Sequence, residues 1–536
     1  MSFNKLQDFY GMIHNVEGTV SSLIIDIASF WEENKDMWFS HEPIVYFPTI
    51  HTMYEDCKNI NYALVLQYDQ IFRHPCEMIE SKDKPIAYRF ATNMAMKIIS
   101  KHQYEEMSDI EKIFTLLTLR HNKSLKMKEL VLKKALRECF NHTPTIPQHW
   151  LRFVKATIID IDNFKVNTIG FTPEIPCIQT KSETHLLMDI NTEYSEILET
   201  KTYVEDSFKC EQVENHLYNE IKTVCTNKVF ELEETFAVSI SGGVDSMVLS
   251  YIANKVCKDL NKKLILVHIC YNNRDCCTKE VDMLKQWASF LNVELYIRTI
   301  NEITRNRRYK TQFRSLYEDV TRHIRFSFYK YVKCPILLGH NRDDTFENMF
   351  SNLSKGIHFD NLSGMSSIGE ESETFIVRPF LSINKTVLVN YADSKNIPHL
   401  YDSTPPWSRR GKTRDELIPS INKFDSNILE GLEKFSHYTQ FLHKQWTQQF
   451  NIWNIQNSKH ENGNLFINRD EFFQTNYKSI TFWVKIWFDN HMKTRPSNKS
   501  FTNLIKNIDS DRQIRCDMND TYICVIKQNT IEFTTR

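Results

Sequence analysis

The sequence predicts a multidomain chain: an α-helical N-terminal region, a parallel-sheet α/β domain, and an α+β C-terminal region. Three patterns carry this reading. In the middle of the chain, short apolar runs alternate with amphipathic stretches. Phe236 to Ile240, Leu264 to Ile269, Val293 to Ile297 and Pro335 to Leu338 read as buried strands. Met247 to Cys257, Thr278 to Leu291 and Tyr317 to Val332 read as the helices between them. Before that stretch, Ile110 to Leu119 and Leu125 to Leu136 have helical spacing with charged outer faces, and Leu64 to Phe72 is mostly apolar. Beyond about Ser420 the alternation stops. Asn427 to Phe450 reads as a long helix, another helix follows Ser479, and Tyr522 to Ile526 and Thr530 to Phe533 read as short strands.

At 536 residues the chain is too long for one ordinary domain. The patterns divide it into a helical domain over 1–150, an irregular connector over 151–210, the α/β domain over 211–420, and a C-terminal region over 421–536. The connector is read from Pro173, Pro176 and many Thr and Asn residues that break the periodicity.

Hydrophobic residues make up 41% and charged residues 25%, a globular composition that excludes wholesale disorder. The net charge of −1 excludes a dedicated nucleic-acid coat but leaves room for a local basic face. No apolar signal region follows Met1 and no long uncharged apolar run occurs, so a soluble, cytoplasmic protein without a membrane partner is expected. The 13 cysteines are scattered without a C-x-x-C pair. The adjacent Cys276 and Cys277 are poorly spaced for joint zinc ligation.

The sharpest local signal follows the first apolar strand of the α/β region. Phe236 to Ile240 runs into Ser241, Gly242, Gly243, Val244, Asp245 and Ser246, and a helix begins at once. The two glycines permit positive φ and close backbone approach. Amide N–H groups at the turn and helix start then converge on one spot, an anion site reinforced by the helix dipole. Ser241 and Ser246 add hydroxyls. Asp245 would repel phosphate unless it bonds a ribose or a metal ion, which suggests Mg²⁺ nearby. The lysine and glycine spacing of a Walker loop are absent. A second constellation follows the strand ending at Leu338 and Gly339: His340, Asn341, Arg342, Asp343, Asp344, Thr345, Phe346 and Glu347. Asp344 and Glu347 lie three apart at a helix start and share a face, suited to a metal, an amine, or simply the helix dipole.

The first motif resembles the PP-loop of the N-type ATP pyrophosphatases, which cleave ATP between its α and β phosphates. The second is similar to the H-x-x-D-D-x-x-E-T signature of the tRNA(Ile)-lysidine synthetase family, with Asn348 in place of the threonine. Further matches follow in the family's order: Leu353 to Gly356, Leu362 to Met365, Arg378 to Leu381, Asp402 to Pro405, and Arg410 to Arg414 followed by Ile418 and Pro419. Arg322, Arg325 and Phe326 look like its R-x-x-R-Y helix. Departures stand at Tyr271, where the family has histidine, at Asn272, where it has glycine, and at Gly411, where it has asparagine. The first 150 residues resemble an all-helical, TPR-like family of unknown function, through Asp69, Gln70 and Arg73 and the aromatics around Trp31 and Trp38.

The resemblance implies a ligase that adenylates the C2 oxygen of a tRNA cytidine with ATP, after which free lysine attacks C2 and AMP leaves. It implies that Ser241 to Ser246 and His340 serve ATP, with Asp245 and Asp343 as candidate Mg²⁺ ligands. Asp344 and Glu347 would hold the lysine ammonium, and Arg414 with Arg410 its carboxylate or a phosphate. Arg305, Arg307, Arg308, Lys310 and Arg314, interleaved with Tyr309 and Phe313, form a basic run suited to tRNA. Two other readings stay open: a PP-loop enzyme of tRNA thiolation, and a non-catalytic RNA-binding protein with a degenerate site.

Overall fold

The structure is a computed structural model that describes residues 84–100, 103–142, 145–176, 182–199, 209–274, 276–305, 312–355, 362–401, 408–461, 464–468, 498–507, 513–518 and 522–535. The features read at Trp31, Trp38, Leu64 to Phe72, Asp69 to Arg73, Arg307 to Lys310 and Asp402 to Pro405 lie outside these residues. The chain divides into two compact units, Met1–Gly339 with Ser367–Asp402, and His340–Ser366 with Ser403–Arg536.

The first unit is built on a six-stranded sheet. Its strands are β1 (Thr235–Ser239), β2 (Lys263–Cys270), β3 (Glu294–Thr299), β4 (Ile336–Leu337), β5 (Ile368–Glu371) and β6 (Thr374–Val377), in the order β3-β2-β1-β4-β6-β5. All pairings are parallel except that of β5 with β6. The alternation within each strand sends side chains into two cores. Phe236, Val238, Leu266, Leu295 and Leu337 enter one core, together with residues of helices Val244–Asp259, Cys277–Leu291 and Lys385–Ser394. Ala237, Ile265, Val267 and Ile336 enter the other, against Val320, Ile324 and Phe328 of the helix Gln312–Val332. A sheet covered on both faces accounts for the near-continuous apolar strands of the sequence.

The N-terminal helices belong to this second core. Phe114, Leu132, Trp150, Val154 and Ile158 are buried in it, from helices Asp109–Arg120, Leu125–Asn141 and Gln148–Phe164. The first of these starts at a capping box in which Ser108 and Glu111 each accept the other's backbone N–H, at 3.4 and 2.7 Å. The helix Gln148–Phe164 runs through the boundary expected at residue 150. It continues as a π-helical turn, Lys165–Ile169, and another helix, Glu183–Glu193, follows, so much of the expected connector is helical. The chain between them also caps the sheet: Glu174 and Leu295 exchange both backbone hydrogen bonds, at 2.8 and 3.1 Å, covering the exposed edge of β3.

Polar residues in the core tie that helix to the sheet. Asp162 is fully buried and accepts from Arg298 Nη2 at 2.8 Å. Arg298 Nη2 also donates to Glu302 at 2.8 Å, and Lys165 Nζ to the same carboxylate at 2.7 Å. Burial pushes the Glu302 carboxyl up, yet Arg298 and Lys165 hold it below the usual range. Its contribution to stability is therefore complete above the unfolded carboxylate pKa and is lost as pH falls through the lower folded value.

The second unit contains the helix Arg342–Lys355, a turn Arg409–Lys412, a π-helical Thr413–Leu417 and the helices Ile418–Phe424 and Asn427–Asn457. Phe346, Met349, Leu362 and Leu429 form a small core among them. A five-stranded antiparallel sheet follows, Ser458–Glu461, Asn464–Asn468, Thr530–Thr535, Tyr522–Ile526 and Ile514–Asp517 in spatial order.

Arg298→Met would leave Asp162 and Glu302 as buried carboxylates stripped of their shared cation. It is expected to lower the unfolding free energy by about 3–5 kcal/mol, read from urea denaturation at pH 7. A midpoint equal to that of the parent would show that the network contributes nothing to the docking of the N-terminal helices.

Candidate active site

The strand order reverses beside β1: the chain winds outward through β2 and β3, then returns to place β4 on the other side. Open α/β sheets bind ligands at such a point, outside the carboxyl ends of the strands. Here the two chain ends are Ile240 to Gly243 after β1 and Gly339 after β4. Gly242 has φ +83, and a Cβ on it would meet Leu400 Cδ1 at 2.4 Å. Leu400 N–H in turn donates to Gly242 O at 2.8 Å. A Cβ on Gly339 would lie 2.9 Å from the carbonyl carbon of Asp245 and 3.0 Å from Ser246 N. Only glycine lets the end of β4 come this close to the first turn of the helix Val244–Asp259.

The loop is held by its own hydroxyls. Ser246 Oγ donates to Gly243 O at 2.9 Å and accepts Ser241 N–H at 3.1 Å, and the two Ser Oγ atoms lie 3.2 Å apart. Gly243 occupies the N-cap and no side chain caps this helix, so the amides of its first turn remain suited to an anion. Two buried groups brace the strand beneath. His268 Nδ1 of β2 donates to Ile240 O at 2.9 Å, and burial pushes the imidazole pKa down. Tyr329 OH and Ser239 Oγ are 2.6 Å apart.

In the second unit, Asp344 and Glu347 are both buried on the helix Arg342–Lys355. Asn341 caps this helix, its Oδ1 accepting Asp343 N–H at 2.9 Å and Asp344 N–H at 3.2 Å. Asp344 Oδ2 accepts Asn341 N–H at 3.1 Å. The remaining carboxylate oxygens face arginines. Arg410 pairs with both Asp344 and Glu347, and Arg414 Nε donates to Glu347 Oε1 at 2.8 Å. The structure thus brings together four residues singled out in the sequence. Among the described residues no group of three or more His, Cys, Asp or Glu forms a metal-binding cluster.

Residues 213–421 match a family model described as a PP-loop domain. These residues form a PP-loop domain. A tRNA(Ile)-lysidine synthase of Streptococcus agalactiae is 24% identical over 235 residues, covering 42% of this chain and 51% of that protein. The tRNA(Ile)-lysidine synthase of Mesoplasma florum is 24% identical over 316 residues, covering 56% and 73%. The chain is thus similar to the tRNA(Ile)-lysidine synthases, and spans about half the length of the streptococcal relative. Among solved structures, the U34-tRNA thiolase NcsA from Methanococcus maripaludis with its [4Fe-4S] cluster is 19% identical, covers 42% of this chain and 80% of its own, and has a TM-score of 0.35.

The departures noted in the sequence have physical readings within the PP-loop domain. Asn272 takes φ +46, the left-handed conformation that glycine adopts freely and asparagine tolerates best among other residues. Its side chain bonds Asn301 Oδ1 at 2.9 Å. Tyr271 packs against the second core, Asn348 is exposed, and Gly411 is buried with its N–H on Ser408 Oγ at 3.0 Å. Of the basic run, Arg314 is exposed and paired with Glu318, whereas Phe313 is 1% exposed and belongs to the core rather than to a stacking surface. The sequence reading missed His268, Tyr329 and the capping role of Asn341. The first stands as a lone polar residue in an apolar strand, the mark of a buried group with a partner. The third stands just before a helix start.

Gly339→Ala should separate the end of β4 from the helix start, because backbone atoms cannot yield as a flexible side chain does. ATP affinity is expected to fall at least about tenfold, a change of roughly 1.4 kcal/mol, while circular dichroism stays that of the parent. Calorimetric titration with ATP–Mg²⁺ measures it, and an unchanged dissociation constant would separate this close approach from nucleotide binding.

Proposed function

We propose that the chain is an ATP-dependent tRNA-modifying ligase that adenylates a tRNA cytidine and joins free lysine to it. The observation that carries this reading is the pairing of Asp344 and Glu347 with Arg410 and Arg414 in a chain that also holds a PP-loop. Two carboxylates and two guanidiniums present the charges an amino acid needs: anions for an ammonium, cations for a carboxylate.

The loop amides, the Ser241 and Ser246 hydroxyls and the helix start suit the phosphates of ATP, and they would stabilise pyrophosphate as it leaves. Asp245, half-buried in the first helical turn, is the residue that would hold Mg²⁺, and the ion would neutralise charge developing on the departing pyrophosphate. Asp343, in the second unit, is a further candidate. Cytosine C2 is a poor electrophile, and attaching AMP to its oxygen turns that oxygen into a leaving group. Asp344 and Glu347 then hold the lysine amine and accept the proton it must lose, while Arg414 and Arg410 bind its carboxylate. His340 is assigned to ATP.

The thiolation reading is weaker on the chemistry of the thiols at the carboxyl end of β2 and the start of the helix after it. Burial pushes the Cys270 thiol up, and a hydrogen bond to Glu280, at 3.0 Å, raises that of Cys276. Both shifts suppress the thiolate that sulfur transfer requires.

Asp245→Ala should cut tRNA-dependent pyrophosphate release about a hundredfold or more, by analogy with losing one transition-state stabiliser, without change in melting temperature. Release at the parent rate would overturn the loop assignment. Glu347→Gln and Asp344→Asn should raise the lysine KM about tenfold and leave the ATP KM within about twofold. Asparagine at 344 can still accept the Asn341 N–H, so the helix cap survives. If lysine KM were unchanged in both, the carboxylates would be structural. Mass analysis of tRNA nucleosides, after incubation with ATP and either lysine or a sulfur donor, separates the ligase from the thiolation reading.

A further inference from the structure

Glu280 is a buried carboxylate with no part in the reaction outlined above. It lies in the first turn of the helix Cys277–Leu291 and is 6% exposed. Both of its oxygens are engaged. Oε2 accepts from Arg274 Nη2 at 3.0 Å, and Oε1 accepts from Cys276 Sγ at 3.0 Å. Arg274 stands in the loop between the end of β2 and that helix, and its side chain is 42% exposed. Among the described residues its Nε and Nη1 donors have no partner.

Contacts from β2 and from the helix place this ion pair beside the PP-loop. β2 is the parallel neighbour of β1, and at their ends Ile240 N–H donates to Val267 O at 2.9 Å while His268 Nδ1 donates to Ile240 O. From the helix, a Cβ on Gly242 would lie 3.7 Å from Met283 Cε. Met283 is buried on the same helix as Glu280, three residues further on. Glu280 is therefore about 4.5 Å of helical rise from the residue that touches the loop. The helix starts at the carboxyl edge of the sheet, so Glu280 and Arg274 lie on the ligand side of that contact.

The loop itself, Ser241 to Ser246, contains no Lys or Arg, and Asp245 adds a negative charge. A polyphosphate held there by amides and hydroxyls gains from a fixed cation at its side. An exposed arginine explores many rotamers, whereas one tied to a buried carboxylate is already oriented, so less freedom is lost on binding. An ion pair of this kind adds little net stability, and direction is what it supplies. We infer that Arg274 binds the phosphate chain of the nucleotide in the PP-loop, and that Glu280 is a positioning residue that acts through Arg274 without touching the nucleotide. The inference rests on the reading of the loop as an ATP site and adds a phosphate-binding side chain from outside the loop.

The test uses the full chain with Arg274→Gln, Glu280→Gln and the two combined. Calorimetry without RNA measures binding of ATP–Mg²⁺, of inorganic pyrophosphate and of adenosine, and filter retention measures binding of a tRNA transcript. Arg274→Gln is expected to weaken ATP–Mg²⁺ and pyrophosphate about tenfold, as for loss of one charge-assisted hydrogen bond, and to leave adenosine within about twofold. Glu280→Gln keeps the shape and an accepting oxygen but not the charge, and should weaken ATP–Mg²⁺ about threefold. In the Arg274→Gln background it should have no further effect, the non-additivity of a residue that acts through another. The double variant strands no buried charge, so the comparison with the parent survives even if Arg274→Gln alone fails to fold. Unaltered ATP affinity in the folded variants would overturn the inference. So would additive losses, equal losses of adenosine and ATP, or a loss confined to tRNA, which would assign Arg274 to the RNA. If the parent chain bound no ATP, the reading of the loop would fall as well, an outcome distinct from failure of the Arg274 contact alone.

Discussion

The contact on which the nucleotide end depends is backbone against backbone. Gly339 closes β4 against the first turn of the helix that follows the PP-loop, at a distance a Cβ would violate. Because β4 is the neighbour of β1, this contact fixes the helix start from one side, while Leu400, hydrogen-bonded to Gly242, fixes the loop from another. His268 and Tyr329 then bind Ile240 and Ser239 from β2 and from the helix Gln312–Val332. An anion site made of amides is only as good as the fixity of its backbone, since each N–H must already point at the place where charge will develop. The buried polar residues around β1 supply that fixity, and burial disfavours the charged form of both His268 and Tyr329.

A second set of buried polar groups attaches the N-terminal helices. Asp162 and Lys165 meet Arg298 and Glu302, which flank the end of β3. Ion pairs at such depth contribute little net stability relative to apolar packing, but they strongly penalise any arrangement that leaves one charge alone. They therefore specify register: the helix Gln148–Phe164 fits the sheet in the one position where Asp162 reaches Arg298. The apolar core around them, from Trp150 to Phe328, supplies the affinity. For this reason the helical region and the PP-loop domain are poorly described as independent modules joined by a connector.

What the sequence made legible follows from range. The loop Ser241 to Ser246 was readable because strand, glycine turn and helix start are all local, and each residue type has one plausible physical use there. Four of the five parallel strands were readable because burial on both faces removes polar residues from them. Residues 151–169 were assigned to the connector from the prolines that follow, although Trp150, Phe153, Val154, Ile158 and Ile161 recur at helical spacing; what was not legible is that Asp162 and Lys165 meet Arg298 and Glu302, more than 130 positions away. The hairpin of β5 and β6 was missed because Gly369 to Glu373 is acidic and short, and β5 is a half-exposed edge strand. Asp344 and Glu347 were found from their spacing, but spacing could not reveal that Asp344 helps cap its helix, or that Arg410 reaches both carboxylates.

That arrangement bears on what the acidic pair can bind. All four carboxylate oxygens already accept hydrogen bonds: from Arg410 and the Asn341 N–H on Asp344, and from Arg410 and Arg414 on Glu347. A divalent cation would need bare oxygens at about 2.1 Å and would have to expel both guanidiniums without offering them a new partner. A simple amine would displace an arginine and leave it stranded in the same way. An amino acid carrying both charges avoids this penalty, because its carboxylate takes up the guanidinium that its ammonium displaces. On the proposed reaction, the closed quartet thus keeps the carboxylates oriented before lysine arrives, and makes the zwitterion, rather than the amine alone, the species that opens it.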